Sequence, residues 1–343
     1  MTDSTEGTAV QTATATAPSG RRGRRAADVP ALIDGAREGS ARSVARLISL
    51  VEDASPALRE VAAALSPHTG HAQVIGLTGS PGVGKSTTTT ALVRALRTAG
   101  KRVGVLAVDP SSPFSGGALL GDRVRMQDHA GDGGVYIRSM ASRGHLGGLA
   151  WATPQALRVL DAAGCDVVLI ETVGVGQSEL EIASLADTTL VLVAPGMGDG
   201  IQAAKAGILE VADVFVVNKA DRDGADQTVR DLRYMQSLGG RHSEAGSWRP
   251  PICRTVAARE TDNGIDEVLA KIEDHRQWLE SSGEGHRRRT ERAAREIEAI
   301  AVGALRERMG DVHGSAALSA LAEKVVAGDT DPYRAADQLL EQL

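Results

Sequence analysis

A chain of 343 residues can bury a full core, and its length allows about two domains. A net charge of −6 argues against a general nucleic-acid binder, because gripping a phosphate backbone needs a positive field. Two cysteines, Cys165 and Cys253, provide neither zinc-ligand spacing nor a disulfide framework. No apolar run approaches the ~20 residues that span a bilayer, and nothing resembles a signal peptide. The expectation is a soluble cytoplasmic protein that engages neither membrane nor nucleic acid.

Residues 1–28 are rich in Thr, Ala, Ser and Gly and end in Arg21, Arg22, Arg24 and Arg25. Such a segment buries too little apolar surface to order itself and reads as a solvated basic tail. Residues 29–70 read as an arm of two or three helices: Leu47, Leu50 and Val51 recur at helical spacing, and Gly39-Ser40 breaks the run. Pro30 and Pro56 suit first-turn positions. The arm packs on the nucleotide domain or on a partner subunit.

From Val74 to about Val256 apolar runs alternate with helical stretches. The runs are Val74–Leu77, Val103–Val108, Val135–Arg138, Val167–Ile170, Leu190–Val193, Val214–Val217 and Ile252–Val256. Continuous apolar strands are buried on both faces, so the fold class is α/β, a mainly parallel sheet covered by helices. Ligands of such sheets sit at the carboxyl ends of the strands.

Directly after the first run stands Gly79-Ser80-Pro81-Gly82-Val83-Gly84-Lys85-Ser86-Thr87, leading into a helix from Thr88 through Leu96. The glycines let successive amides turn inward as an anion cradle, and the helix N-terminus adds partial positive charge. Lys85 can reach the β- and γ-phosphates, and the Ser86 hydroxyl can ligate Mg²⁺. A glycine-rich turn without a ligand is the alternative; the complete motif between strand and helix favours a bound nucleoside phosphate.

Asp109 follows the second run in Asp109-Pro110-Ser111-Ser112-Pro113, with Asp122 further along the same glycine-bearing loop. Both carboxylates suit a Mg²⁺ shell, although an Asp before Pro is also an ordinary turn former. The fourth run ends in Ile170-Glu171-Thr172-Val173-Gly174-Val175-Gly176-Gln177. Glu171 is placed to hold Mg²⁺ through water, and the Gly174 amide can approach a γ-phosphate. In Ras-like GTPases a glutamine directly follows that glycine; here the residue is Val175, with Gln177 two places on, so the group that positions the attacking water is open. Gly196 to Lys205 is either a mobile loop entering a helix or an ordinary connection.

The sixth run ends in Asn218-Lys219-Ala220-Asp221. One carboxylate accepts from both N1–H and the exocyclic amine of guanine, whereas adenine offers an acceptor and would leave Asp221 unpaired. Sites built on such bonds reject the wrong partner by roughly 10⁴–10⁵. Asn218 can tie this loop to the phosphate loop, and the Lys219 stem can cover the base.

Together, GSPGVGKST, AVDPSSPFSGGALLGDR, IETVGVGQSE and NKAD resemble the GTPases of the MeaB/ArgK type, relatives of the methylmalonic-aciduria A protein. The resemblance covers roughly Pro30 to the end. It implies a P-loop NTPase with N- and C-terminal helical extensions that acts as a homodimeric, Mg²⁺-dependent GTPase. It further implies a chaperone of an adenosylcobalamin-dependent acyl-CoA mutase, usually methylmalonyl-CoA mutase, which gates cofactor loading and protects or reactivates the client. Carried over by position, Gly79 to Thr87 bind phosphates, with Lys85, Asp109, Gly174 and Gln177 at the reacting end. Ser86, Asp109, Asp122 and Glu171 line the Mg²⁺ region; Asn218, Lys219 and Asp221 hold guanine. Gly174 to Glu179 is a nucleotide-sensing switch, and Gly196 to Lys205 a partner-sensing one. The base-side loop departs from the usual Ser-Ala start: Ala257, Ala258 and Arg259 retain a backbone contact to guanine and lose a hydroxyl. The alternative is a P-loop kinase acting on a transport protein or small molecule, against which Asn218-Lys219-x-Asp221 counts.

These expectations divide the chain into the tail 1–28, the arm 29–70, a GTPase domain 71–280 and a C-terminal helical dimerisation region 281–343. In the last, a helix to Leu279 is broken at Ser281-Ser282-Gly283 and a second runs from Arg287 to Met309 with Ile297, Ile300, Ala301, Ala304 and Leu305 on one stripe. That stripe buries itself in the chain or against a partner subunit, and the resemblance implies the subunit. Asp331-Pro332 opens a last helix.

Overall fold

The computed structural model describes residues 28–53, 55–110, 131–142, 152–172, 178–196, 209–238, 246–309 and 315–341. Three helices, α1 (Val29–Arg37), α2 (Ala41–Glu52) and α3 (Leu58–Leu65), open it. Pro30 lies in the first turn of α1 as expected, and Gly39 at positive φ followed by the Ser40 cap separates α1 from α2. Pro56 does not lie in a first turn. It stands in the turn ahead of α3, whose cap position is Ala57, because Ser55 Oγ accepts from the Ala57 amide and delays the helix.

Seven strands follow: β1 (Gln73–Thr78), β2 (Val103–Pro110), β3 (Val135–Ser142), β4 (Val167–Thr172), β5 (Thr188–Val193), β6 (Val214–Val217) and β7 (Ile252–Arg254). All pair in parallel, in the order β3-β2-β4-β1-β5-β6-β7. Every expected apolar run is a strand; β7 ends two residues early, where the Thr255 amide turns to donate to Val217 O (2.9 Å). Between and after the strands lie α4 (Lys85–Thr98), α5 (Thr153–Ala162), α6 (Ser178–Leu185), α7 (Ala225–Leu238), α8 (Ile265–Ser282) and α9 (Glu284–Met309), then α10 (Ala316–Ala327) and α11 (Pro332–Leu340). No described helix is long and apolar enough to cross a membrane.

Alternation along each strand divides the core. On one face Val74, Leu106, Val108, Val168 and Ile170 pack with α1–α3, α5 and α6. On the other, Ile75, Leu77, Val105, Leu169, Leu190 and Leu192 pack with α4 and α8. The N-terminal helices therefore complete the first face: Tyr136 Oη donates to Gly39 O (3.2 Å), and Arg138 pairs with Glu52. Both cysteines are buried in this core, and burial pushes each thiol up to about 12.

Helix α9 begins at Glu284, so Gly283 at positive φ is the whole break between α8 and α9. Its first half is bolted to the amino end of the sheet. Arg292 reaches Asp187 just ahead of β5 (2.9 Å), and Arg288 reaches Asp213 just ahead of β6 (3.1 Å). Asp187 in turn accepts from the Val74 amide (3.0 Å), and Asp213 from the Thr189 amide (2.8 Å). Neutral His275 on α8 lies behind Asp213, sharing a hydrogen bond with Thr188 Oγ1 (2.9 Å), and its pKa is brought down to about 3 by burial and by Arg288. Burial pushes Asp213 up to about 6, against the pull of Arg288 and the Thr189 amide. Glu296 closes the contact by accepting from Arg158 (2.6 Å) and Gln155 (2.7 Å) on α5. Beyond it Ile297, Ile300 and Leu305 are exposed, while α10 and α11 pack against each other and leave Val326 and Tyr333 exposed.

Candidate nucleotide site

The phosphate-loop motif spans the turn from the end of β1 into α4. Its conformation depends on glycine at two positions. Gly79 has φ +140°, and a Cβ there would lie 2.3 Å from Leu192 O on the neighbouring β5. Gly84 has φ +99° and caps α4; a Cβ there would lie 2.3 Å from Asn218 Nδ2. Any side chain at either place would push the loop off the sheet. α4 starts at Lys85 itself, three residues earlier than the sequence reading, so its free amides face the loop.

Lys85 is buried, and its ammonium donates to Gly79 O (2.6 Å) and Ser80 O (3.1 Å), holding a cation inside the curl of the loop. One residue on, Ser86 Oγ donates to Glu171 Oε1 (2.5 Å). Thr89, one turn along α4, donates to Glu171 Oε2 (2.8 Å). Sequence reasoning missed Thr89, although its i+3 spacing from Ser86 puts it on the same face of α4. The set of one buried carboxylate and hard hydroxyl oxygens fits Mg²⁺, which takes one or two carboxylates and completes its shell with water and phosphate. Among the described residues no cluster of three or more His, Cys, Asp or Glu could hold a metal without such help.

The loop after β6 sits against the phosphate loop. Asn218 is buried: its Nδ2 donates to Val83 O (2.9 Å), and its Oδ1 accepts from Thr255 Oγ1 and the Ala257 amide (both 3.1 Å). One side chain thus joins the phosphate loop, β6 and the segment after β7. Thr255 was not foreseen, having no signal beyond its place at a strand end. Lys219, at positive φ, donates to Gly82 O (2.6 Å). Asp221 is half-exposed with its carboxylate 3.9 Å from the Arg259 guanidinium. Ala258 lies in the same turn, between Ala257 and Arg259, whose amide donates to Val256 O (2.9 Å). Asp109 is the penultimate residue of β2, next to the strand of Glu171, but its side chain lies outside the described part. Asp122, Gly174 and Gln177 lie outside the described residues altogether, as do Gly176 and most of 196–205.

Asn218→Ala removes the Val83 contact and strands a buried hydroxyl and a buried amide. The expected cost is about 2 kcal/mol of unfolding free energy, read from the urea midpoint of the nucleotide-free protein.

A parallel sheet with this phosphate loop and a guanine-type loop beside it defines a P-loop GTPase. The comparisons agree. The family model described as "Methylmalonyl Co-A mutase-associated GTPase MeaB" matches residues 44–313, and the chain belongs to that family. A Pyrococcus abyssi protein carrying a GTPase name is 46% identical over 312 residues, covering 91% of this chain and 96% of its own. The mouse protein named methylmalonic aciduria type A homolog, mitochondrial, is 36% identical, covering 78% of this chain and 64% of its own. A crystal structure described as LAO/AO transport system kinase superposes with a TM-score of 0.69 at 28% identity, covering 93% of this chain and 98% of that one.

Proposed function

We propose that this GTPase binds GTP with Mg²⁺ and uses the GTP cycle to chaperone an adenosylcobalamin-dependent acyl-CoA mutase, gating cofactor loading and protecting or reactivating the client. The family description and the mouse relative's name support the mutase as partner. The nucleotide reading is carried by one observation: the Asn218 side chain bonds the phosphate loop to the loop that ends in Asp221. In this reading the amides of 79–87 cradle the phosphates, Lys85 exchanges its two carbonyl partners for phosphate oxygens, and Asp221 takes the guanine edge while the Ala257–Arg259 turn lies beside the base. Ser86 and Glu171 would hold Mg²⁺, joined by Asp109 and Asp122. When bound, the ion neutralises charge on the transferred phosphoryl group. Gly174 and Gln177 are proposed for γ-phosphate sensing and for the attacking water.

The proposed organisation is a tail 1–28, an arm 29–70, a GTPase domain 71–280 and a dimerisation region 281–343, in a cytoplasmic homodimer. The exposed apolar residues of α9 to α11 support the last assignment. The kinase in the structural relative's description provides the second reading, phosphate transfer to a protein or small molecule.

Titration of the purified chain should give tight GTP and GDP binding and far weaker ATP binding. Lys85→Ala should lower the GTP hydrolysis rate by about 10²-fold, the lower range for losing one preorganised donor to developing oxyanion charge. GTP-loaded protein should recover a cobalamin-dependent mutase from cell extract. Recovery of a different partner would end the chaperone reading, and label from γ-phosphate appearing on that partner would favour the kinase.

A further inference from the structure

One level of the sheet crosses the phosphate site, and its residues follow a pattern. Val108 on β2 pairs with Thr172 on β4 and with Met140 on β3. Thr78 on β1 pairs with Val191 on β5, and Val191 with Phe215 on β6. Thr78 and Thr172 each stand one residue beyond the Leu77–Glu171 pair, so they are neighbours across the β1–β4 seam. All six side chains of this row share a face by strand alternation. Met140, Val108, Val191 and Phe215 are apolar and buried. The row turns to hydroxyls only on the two strands that lead into Gly79 and carry Glu171.

Both threonines have 0% exposure, and neither Oγ1 has a hydrogen-bond partner among the described residues. A buried, unpaired hydroxyl is destabilising, and valine has the same shape without it. The valines at the same level on β2 and β5 show that the sheet accommodates that side chain there. Two such groups side by side, in the middle of a core that would be more stable without them, call for a reason outside the resting state. Adjacent strands lie about 4.8 Å apart, cross-strand Thr–Thr hydrogen bonds are a known stabilising pair, and a hydroxyl can rotate to donate or accept.

We propose that Thr78 and Thr172 are positioning residues for GTP hydrolysis, whose hydroxyls bond to each other across the β1–β4 seam only as the bound triphosphate reaches its reacting state. That bond sets the phosphate loop and Glu171 at a fixed separation. Resting stability is given up for this alignment. The inference rests on the phosphate-site reading above, and Lys85→Ala serves as the control that tests that reading separately.

The test uses the full chain carrying Thr78→Val, Thr172→Val, both together, or Ser at either position. Each Val variant should melt about 2–4 °C higher than wild type without nucleotide, the usual yield of removing a buried unsatisfied group in a domain of this size. Each should lose kcat about tenfold, as expected for one hydrogen bond made only in the reacting state, with KM changed less than about threefold. The double variant should be no slower than the singles, because the pair acts as a unit, and the Ser variants should keep wild-type kcat. Val variants with wild-type kcat would make the hydroxyls merely structural and overturn the proposal. Val variants that melt lower without nucleotide would show that the hydroxyls are already paired at rest, and would overturn it as well. If Lys85→Ala leaves hydrolysis intact, the phosphate-site reading fails instead.

Discussion

Asp221→Asn is expected to lower GTP affinity by about 10³-fold, below the roughly 10⁴–10⁵ available to sites that discriminate by fully buried hydrogen bonds because Asp221 is half-exposed, and to create affinity for xanthosine triphosphate. A carboxylate accepts from N1–H and the exocyclic amine of guanine together. An amide keeps one acceptor, and its NH₂ then meets the guanine amine donor to donor. Xanthine replaces that amine with a carbonyl and restores the match. The structure gives this exchange a clean background. Asp221 is half-exposed, and its contact with Arg259 is long and solvent-screened, so little folding energy is at stake. Ala220 N still donates to Thr255 O (3.0 Å), which fixes the turn independently of the side chain. Competition binding with GTP, XTP and ATP is the measurement. Loss of GTP binding with no gain of XTP binding would place the guanine edge elsewhere.

Arg288→Ala is expected to cost about 3 kcal/mol of stability near pH 7.5, the low end for breaking a buried pair, since Arg288 is partly exposed and Asp213 keeps the Thr189 amide. The cost should fall to about 1 kcal/mol near pH 5, because a neutral carboxyl has little need of the guanidinium. The sign follows from Asp213, whose pKa rises from the ordinary 3.8 to about 6 on folding. A group raised in this way contributes stability below its unfolded value and loses it as pH climbs through the folded one. Above pH 6 the buried carboxylate is charged and dependent on Arg288. His275, brought down to about 3 by burial and by Arg288, behaves oppositely: its contribution is present above 6.5 and fades as pH falls, and it fades no faster without Arg288, so it too narrows the deficit at low pH. Urea unfolding of the pair at both pH values measures the effect, and Asp213→Asn should largely suppress it. A deficit independent of pH would mean that Asp213 is not the group Arg288 serves.

The two halves of the molecule differ in how much of them the sequence discloses. The strands and the nucleotide loops are local patterns: each apolar run is short enough to span one strand, and Gly79 to Thr87 and Asn218 to Asp221 fall at strand ends where the parallel-sheet rule puts ligands. The clamp under the sheet has no such local signature. Asp187 and Asp213 look like turn residues before strands, and the arginines of α9 look like a solvated face. They meet over separations of 105 and 75 residues. Helix α10 was missed altogether, although Ser315 caps its start through the Leu318 amide and Gly328 ends it at positive φ. Its weakly amphipathic sequence gave the periodicity argument nothing to detect. Thr89 and Thr255 escaped notice because a hydroxyl becomes informative only when its partner's position is known.

The clamp also makes α9 a cantilever. Its root is fixed to the strand entrances at Asp187 and Asp213, and past Glu296 it projects with Ile297, Ile300 and Leu305 uncovered. Strands β5 and β6 run from that root to the opposite edge, where Leu192 O abuts Gly79 and Asn218 grips Val83 O. Two strands therefore join the anchored root of the free arm directly to both flanks of the phosphate loop.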